Sequence, residues 1–198
     1  MGYPKHYAHA VRISTMDERN DEAIAAAVQH GDLDAFRELV ERYEPKMTRY
    51  ARRFLFGSDD AKDLVQDVFI KAYVNIKSFD TDRRFSPWLY RIAHNEFVNA
   101  LKKRTKERGN VSLFDFDTLF PHLSAKETAD SPARQHEMKV MLERSLDTIP
   151  RKYKEPLMLY YFEELDYKEI ADVLRIPVST VGVRLQRGKA MLKKKVSE

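Results

Sequence analysis

Apolar residues along this chain recur at three- and four-residue intervals, the spacing that keeps them on one face of an α-helix. The clearest run is Asp34–Phe56, with Phe36, Leu39, Val40, Tyr43, Met47, Tyr50, Ala51 and Phe54 in register, closed by Gly57. Before it, Asp21–His30 reads as a short helix ended by Gly31. After it, Asp59–Ile76 repeats the pattern through Leu64, Val65, Val68, Phe69, Ala72 and Tyr73, which are expected in the core. A polar, basic loop, Lys77–Phe85, precedes Ser86-Pro87, a helix start with Ser as N-cap and Pro at the first helical position. That helix runs from Trp88 to about Lys106, with Trp88, Leu89, Ile92 and Ala93 on the inward stripe.

The pattern breaks over residues 109–133, where Gly109-Asn110, Pro121, Ser131 and Pro132 punctuate an acidic stretch. Its apolar cluster, Leu113, Phe114, Phe116, Leu119 and Phe120, is unusual for a solvated tether and is expected to dock on something. Helical spacing resumes with Gln135–Thr148, Tyr153–Glu163 (with Pro156 near its first turns, where it bends a helix), Tyr167–Leu174 and Ser179–Lys195. The fold expected is all-α: two small helical domains over 21–106 and 134–198, a flexible acidic linker over 107–133, and a disordered tail over 1–20. Met16 offers a second start position.

Charge sharpens this division. Residues 1–108 hold 20 Lys/Arg against 17 Asp/Glu, residues 109–133 one against four, and residues 134–198 14 against 10. Two basic blocks around an acidic segment suit two polyanion-binding units, although a basic block alone is more often a solvated surface. The chain has no cysteine, which excludes disulfides, thiolate metal sites and cysteine nucleophiles and suits a reducing cytosol. No apolar run reaches the ~20 residues a membrane helix needs, and Met1–Ser14 lacks a signal-peptide core. A cytoplasmic location is expected.

The last two helices, joined by Arg175-Ile176-Pro177, form a helix-turn-helix candidate. Ile170, Val173 and Leu174 face inward, Ile176 plugs the turn, Val181 and Leu185 hold the second helix down, and Ala171 is small at the crossing. The turn carries Arg175 where glycine is usual. The outward face of the second helix shows Ser179, Thr180, Arg184, Gln186, Arg187 and Lys189, donors suited to phosphates and base edges. A plain helical hairpin with a basic face is the bland alternative. The density of donors on one side favours DNA.

Two further segments are more specific. Asp63-Leu64-Val65-Gln66-Asp67-Val68-Phe69-Ile70-Lys71-Ala72-Tyr73 and Phe85-Ser86-Pro87-Trp88-Leu89-Tyr90-Arg91-Ile92-Ala93-His94-Asn95 closely resemble the second conserved region of extracytoplasmic-function (ECF) sigma factors of the sigma-70 family. Ile149-Pro150 through Tyr160-Tyr161-Phe162, then Tyr167-Lys168-Glu169-Ile170-Ala171 and Ser179-Thr180-Val181, resemble their fourth region. Both halves match independently and in order, over roughly residues 21–195.

The resemblance implies a sigma factor that directs promoter-specific initiation, with core RNA polymerase (its clamp coiled coil and flap), promoter DNA and an anti-sigma factor as partners. It implies no catalysis, cofactor or metal, no small-molecule substrate and no membrane insertion. It puts clamp docking on Asp63, Gln66, Asp67, Ile70 and Lys71, which share one helix face. It puts −10 recognition and melting on the following loop and helix: Ser78, Phe79, Asp80, Thr81, Asp82, Arg83, Arg84, Phe85, Trp88, Arg91, Asn95, Asn99, Lys102, Lys103 and Arg104. Melting needs a pocket for an unstacked base and cations for the strand. The loop Ser78–Asp82 is where that pocket is expected, Asn95 and Asn99 share an outer face, and Trp88 is more often core than stacking platform. The −35 element falls to Ser179, Thr180, Gly182, Val183, Arg184, Gln186, Arg187 and Lys189, with Ser179 as helix cap. Gly182 departs from the basic residue many relatives carry there. It weakens the helix by ~1 kcal/mol against Ala and leaves room for close DNA approach, with Val183 facing a thymine methyl.

A stand-alone helix-turn-helix regulator is the main alternative, but it does not need the Asp63–Tyr73 face or an aromatic loop beside a basic helix. A protein-only adaptor would use the charged helices differently. An enzyme is disfavoured: the sequence has no P-loop, no dinucleotide glycine fingerprint and no His pair at metal spacing on one helix.

Overall fold

The computed structural model describes residues 19–54, 61–107, 136, 138–142 and 149–196. The acidic segment with its Leu113–Phe120 cluster, the tail before Arg19 and the Gly57 cap lie outside these residues. Seven helices are bounded: α1 (Asp21–Gln29), α2 (Leu33–Phe54), α3 (Ala61–Asn75), α4 (Phe85–Glu107), α5 (Arg151–Tyr161), α6 (Tyr167–Leu174) and α7 (Val178–Val196). A 3-10 turn, Ile76–Ser78, follows α3, and residues 138–142 are helical. No strand occurs among the described residues.

The first unit packs α1, α2, α3 and α4 around Met47, Tyr50, Val68, Leu89, Tyr90 and Phe97, all fully or nearly fully buried. Its centre is aromatic: Tyr50 meets Phe54, Tyr90 and Phe97 at ring-centroid distances of 5.7, 5.2 and 5.4 Å, mostly edge to face, the favoured geometry of such pairs. In the second unit α7 packs on α5 and α6, with Val181, Leu185 and Leu192 buried on its inner stripe. Gly188 faces Leu157 and Tyr153 of α5. A Cβ built there would stand 2.6 Å from Leu157 Cδ1 and 3.4 Å from Tyr153 Cβ, so a larger residue would require the Leu157 side chain to shift.

The helix-turn-helix forms as the sequence implies, with α6 spanning Tyr167–Leu174. Asp166 caps α6 in a reciprocal capping box with Glu169: the Glu169 N–H donates to Asp166 Oδ1, and the Asp166 N–H to Glu169 Oε2. Arg175, where glycine is usual, adopts the left-handed conformation the turn requires (φ 54°). Long-range packing of Ile176 and Leu174 holds a residue that locally disfavours this geometry.

Several local expectations are corrected. Helix α4 begins at Phe85, so Ser86 and Pro87 lie inside its first turn. The Phe85 N–H at the helix start is satisfied by Glu22 of α1 at 2.8 Å. Helix α7 begins at Val178, and the carbonyl of Pro177 accepts from Thr180 and Val181, so Ser179 is not the cap. Helix α2 runs unbroken through Pro45, as the expected span Asp34–Phe56 implies. Tyr73, expected in the core, is 42% exposed.

The two units pack on each other. Helix α6 lies along α4, and α5 touches α2. This closure between segments far apart in sequence was not legible from periodicity.

Candidate polymerase and promoter surfaces

On α3, Asp63, Gln66, Asp67, Ile70 and Lys71 are all exposed, as their shared helix face requires. Lys71 also reaches across to Glu96 of α4 at 2.6 Å, which ties the two helices and orients this edge. The face is larger than the sequence suggested. Beside Ile70 (55% exposed) stand Tyr73 and Val74 (72%), and Leu33 is also exposed. The Tyr73 ring meets Phe36 at 5.0 Å. An apolar strip rimmed by carboxylates is what a protein-docking surface needs. The signal for Val74 was its place one turn after Ile70.

The proposed −10 elements divide in two. Phe79 and Phe85 are buried, and with the half-buried Trp88 they form a three-ring cluster at 5.3–5.5 Å. Phe79 was expected to line an open loop pocket; here its ring closes the core beneath that loop. Gln29 fixes the loop from α1, its side-chain amide donating to the carbonyls of Ile76 and Phe79 at 2.8 Å each. The polar side chains are outside: Ser78, Asp80, Asp82, Arg83, Arg84, Arg91, Asn99, Lys102 and Lys103 are exposed, and Thr81, Asn95 and Arg104 half-buried. Asp80 holds the turn by accepting from the Asp82 N–H at 3.1 Å.

On α7, Gln186 is exposed, while Ser179, Thr180, Val183, Arg184, Arg187 and Lys189 are half-buried. Gly182 is buried, although close DNA approach was expected there. The Lys189 ammonium stands 5.6 Å from the ring centres of both Tyr160 and Tyr161. The DNA contact expected of Lys189 thus competes with an aromatic partner inside the domain.

A buried polar cluster that sequence reading missed joins the units. The Tyr50 hydroxyl donates to Glu155 Oε1 at 2.6 Å, and His94 Nδ1 lies 2.6 Å from the same oxygen. Arg151 stacks over Phe54 and Arg53 over Phe162, both across the boundary. Glu163 lies 3.9 Å from Arg49 with its side chain only 6% exposed. Burial, reinforced by Glu155, raises the Tyr50 hydroxyl well above its ordinary value, and burial beside Glu163 does the same for Tyr90. Burial alone would raise Glu155, but His94, Arg151 and Tyr50 outweigh it and hold the carboxyl below its ordinary value. Burial raises Glu163 despite Tyr90, Arg49 and Lys46.

These opposite directions have a pH consequence. Glu155, lowered, stabilises the packed state above the ordinary carboxylate value, and that contribution is lost as pH falls through its own value. Glu163, raised, works the other way: its protonation on acidification favours the packed state. The two partly cancel. Glu163→Gln is therefore expected to lose thermal stability more steeply than the native chain as pH falls toward the ordinary carboxylate value. Parallel slopes of melting temperature against pH in the two proteins would refute this balance.

Among the described residues the fold is all-helical, with a helix-turn-helix, a second basic helix beside an aromatic loop, and a separate exposed face on α3. Known proteins place it further. The profile described as Sigma-70 region 2 matches residues 39–107, and that described as Sigma-70, region 4 matches residues 139–192. The ECF RNA polymerase sigma factor SigW of Bacillus subtilis is 34% identical over 175 residues, covering 86% of this chain and 94% of the relative. The ECF RNA polymerase sigma-E factor of Escherichia coli K12 is 31% identical over 184 residues, 91% of this chain and 96% of the relative. Among solved structures, CnrH in complex with the cytosolic domain of CnrY aligns with a TM-score of 0.61 at 26% identity, over 89% of this chain and 97% of that one. RpoE from Bartonella quintana, in complex with the anti-sigma factor NepR, shares the fold, with a TM-score of 0.60 at 21% identity over 83% and 98% of the two chains. The chain belongs to the ECF sigma factors of the sigma-70 family.

Proposed function

We propose that this sigma factor works through three surfaces: α3 docks on the polymerase clamp, the loop after α3 together with α4 reads and opens the −10 element, and α7 reads the −35 element. The observation that carries this reading is the exposed α3 face, acidic at Asp63 and Asp67 and apolar at Ile70, Tyr73 and Val74. A stand-alone helix-turn-helix regulator has no use for it. The chain catalyses nothing, needs no cofactor and acts in the cytoplasm. No helix among the described residues is long and apolar enough to cross a membrane. An anti-sigma factor is its expected regulator. Run-off transcription with core polymerase tests the reading: transcripts that start only when this chain is added support it, and their absence from a genomic template library overturns it.

Within α7, Arg187 and Arg184 lie one turn apart, and an Arg forked onto guanine discriminates by ~1–3 kcal/mol. Arg187→Ala is expected to lower affinity for the cognate −35 element more than for scrambled DNA. Lys189→Ala should lower both alike, or change neither if the ammonium stays with Tyr160 and Tyr161. Titrations of both variants on both DNAs decide it: an equal loss for Arg187→Ala on the two DNAs removes Arg187 from the base-reading set.

A further inference from the structure

One basic cluster belongs to none of the three surfaces assigned above. Near the end of α2, Arg49, Arg52 and Arg53 line an open cleft of about 370 Å³ together with Glu44, Pro45 and Thr48. Arg52 is exposed and has no partner among the described residues. Arg49 is exposed and only 3.9 Å from Glu163, the outer limit of an ion pair, while Arg53 lies over the Phe162 ring. A helix C-terminus attracts cations, which accounts for Arg52 and Arg53 in the last turn. It does not account for Thr48. The Thr48 hydroxyl is shut off from solvent and has no hydrogen-bond partner, although a helical threonine commonly donates to the carbonyl one turn back. Such a group costs stability until an acceptor arrives. Nor does the helix dipole relieve Arg49, which meets Arg52 and Arg53 at three- and four-residue spacing, where like charges repel. An anion in the cleft answers both: its oxygens accept from the hydroxyl and neutralise the guanidinium groups.

We propose that the cleft of Thr48, Arg49, Arg52 and Arg53 holds backbone phosphates of promoter DNA, a sequence-independent contact separate from the −10 and −35 surfaces. The proposal rests on the reading of the chain as a promoter-binding sigma factor. Three guanidinium groups against the one carboxylate of Glu44 leave two positive charges, which match two successive phosphodiesters. Arg49 and Arg53 are about 6 Å apart along the helix axis, so the cluster is long enough for neighbouring phosphates of one strand and not only for a single small ion. The guanidinium fork donates to two phosphate oxygens at once, and a hydroxyl adds a further donor. A contact of this kind fixes the register and orientation of the DNA and carries no sequence information.

The test uses the full chain in holoenzyme, on a promoter fragment recovered by run-off transcription. Arg52→Ala is expected to weaken binding about fivefold at about 0.15 M salt and to flatten the slope of log affinity against log salt by about one unit. The loss should be the same on fragments that differ in sequence outside the −10 and −35 elements. Thr48→Val should weaken binding about tenfold, the size of one hydrogen bond to a charged group, and leave the slope unchanged. The free Thr48→Val chain should melt no lower than the native one, because the substitution removes an unpartnered hydroxyl. Arg37→Ala removes an exposed cation about four turns earlier on α2, beyond the Debye length, and should leave both affinity and slope unchanged. The chain has no cysteine, so Glu44→Cys carries an iron chelate at the rim of the cleft without removing a proposed contact. In holoenzyme that chelate should cut the promoter backbone. A native salt slope for Arg52→Ala, native affinity for Thr48→Val, or an uncut promoter overturns the proposal. So does an equal flattening in Arg37→Ala. A fall in core-polymerase affinity that accounts for the whole Arg52→Ala loss overturns it too, and makes the cleft a protein contact. These failures leave run-off transcription by the native chain intact, whereas failure of the functional reading is the loss of that transcription itself.

Discussion

Gln66→Ala combined with Asp67→Lys should reduce affinity for core RNA polymerase by on the order of a hundredfold, about 2.7 kcal/mol, and abolish run-off transcription at limiting polymerase. Both side chains are exposed on α3, beside the apolar strip of Ile70, Tyr73 and Val74. If α3 is the docking helix, a reversed charge on that rim places a cation where the native chain offers an anion. Like-charge juxtaposition across an interface costs several kcal/mol, whereas a lone exposed pair contributes at most about 1 kcal/mol. Reversal is therefore the informative substitution. The fold should not change, because exposed substitutions away from caps and buried networks stay within about 0.5 kcal/mol. The check is a polymerase titration alongside a thermal midpoint. Affinity equal to the native chain's would dismiss α3 as the docking helix, and a collapsed midpoint would show that the face has a structural role instead.

The second large effect concerns the hold of α5 on α7. Leu157 is fully buried, and its isobutyl group lies against Gly188. Leu157→Ala is expected to cost ~2–5 kcal/mol through lost burial and a cavity. Gly188→Ala should cost ~1–3 kcal/mol by overpacking, even though alanine is the better helix former by ~1 kcal/mol, because the new methyl would stand 2.6 Å from Leu157 Cδ1 and force a fully buried side chain to shift. The pair together should lose less than the sum, since removing the Leu157 methyls makes room for the new Cβ. Residues in such contact couple by ~0.5–3 kcal/mol. Urea unfolding of the two single variants and the double variant completes the cycle. Strictly additive losses would mean that the helices separate to accommodate the methyl and that Gly188 is no close-approach point.

Much of the candidate site was legible because its logic is local. The docking face follows from residues three and four apart on one helix, and those side chains are exposed as expected. Tyr73 and Val74 show where this fails. A tyrosine on an apolar stripe reads as core, yet α3 turns part of that stripe outward because α2 and α4 cover only one side of it. Phe79 fails in the opposite direction: it lies in the loop where a base pocket was expected, but the ring cluster with Phe85 and Trp88 draws it inward.

The sequence by itself determined that the chain is helical, where most helices run, that it carries a helix-turn-helix, and that Asp63, Gln66, Asp67, Ile70 and Lys71 share one helix face. Each rests on periodicity or on a motif a few residues long, so the relevant interactions are written within one or two helical turns. Only the tertiary structure decided that Glu22 satisfies the start of α4, that Arg175 takes the left-handed turn position, and that Tyr50, His94 and Glu155 meet. The contacts of Tyr50 and His94 with Glu155 span 105 and 61 positions of chain. Nothing local distinguishes Glu155 from a solvated helix carboxylate. Its burial, its partners and its lowered pKa arise only when the two units close and exclude water from the space between them.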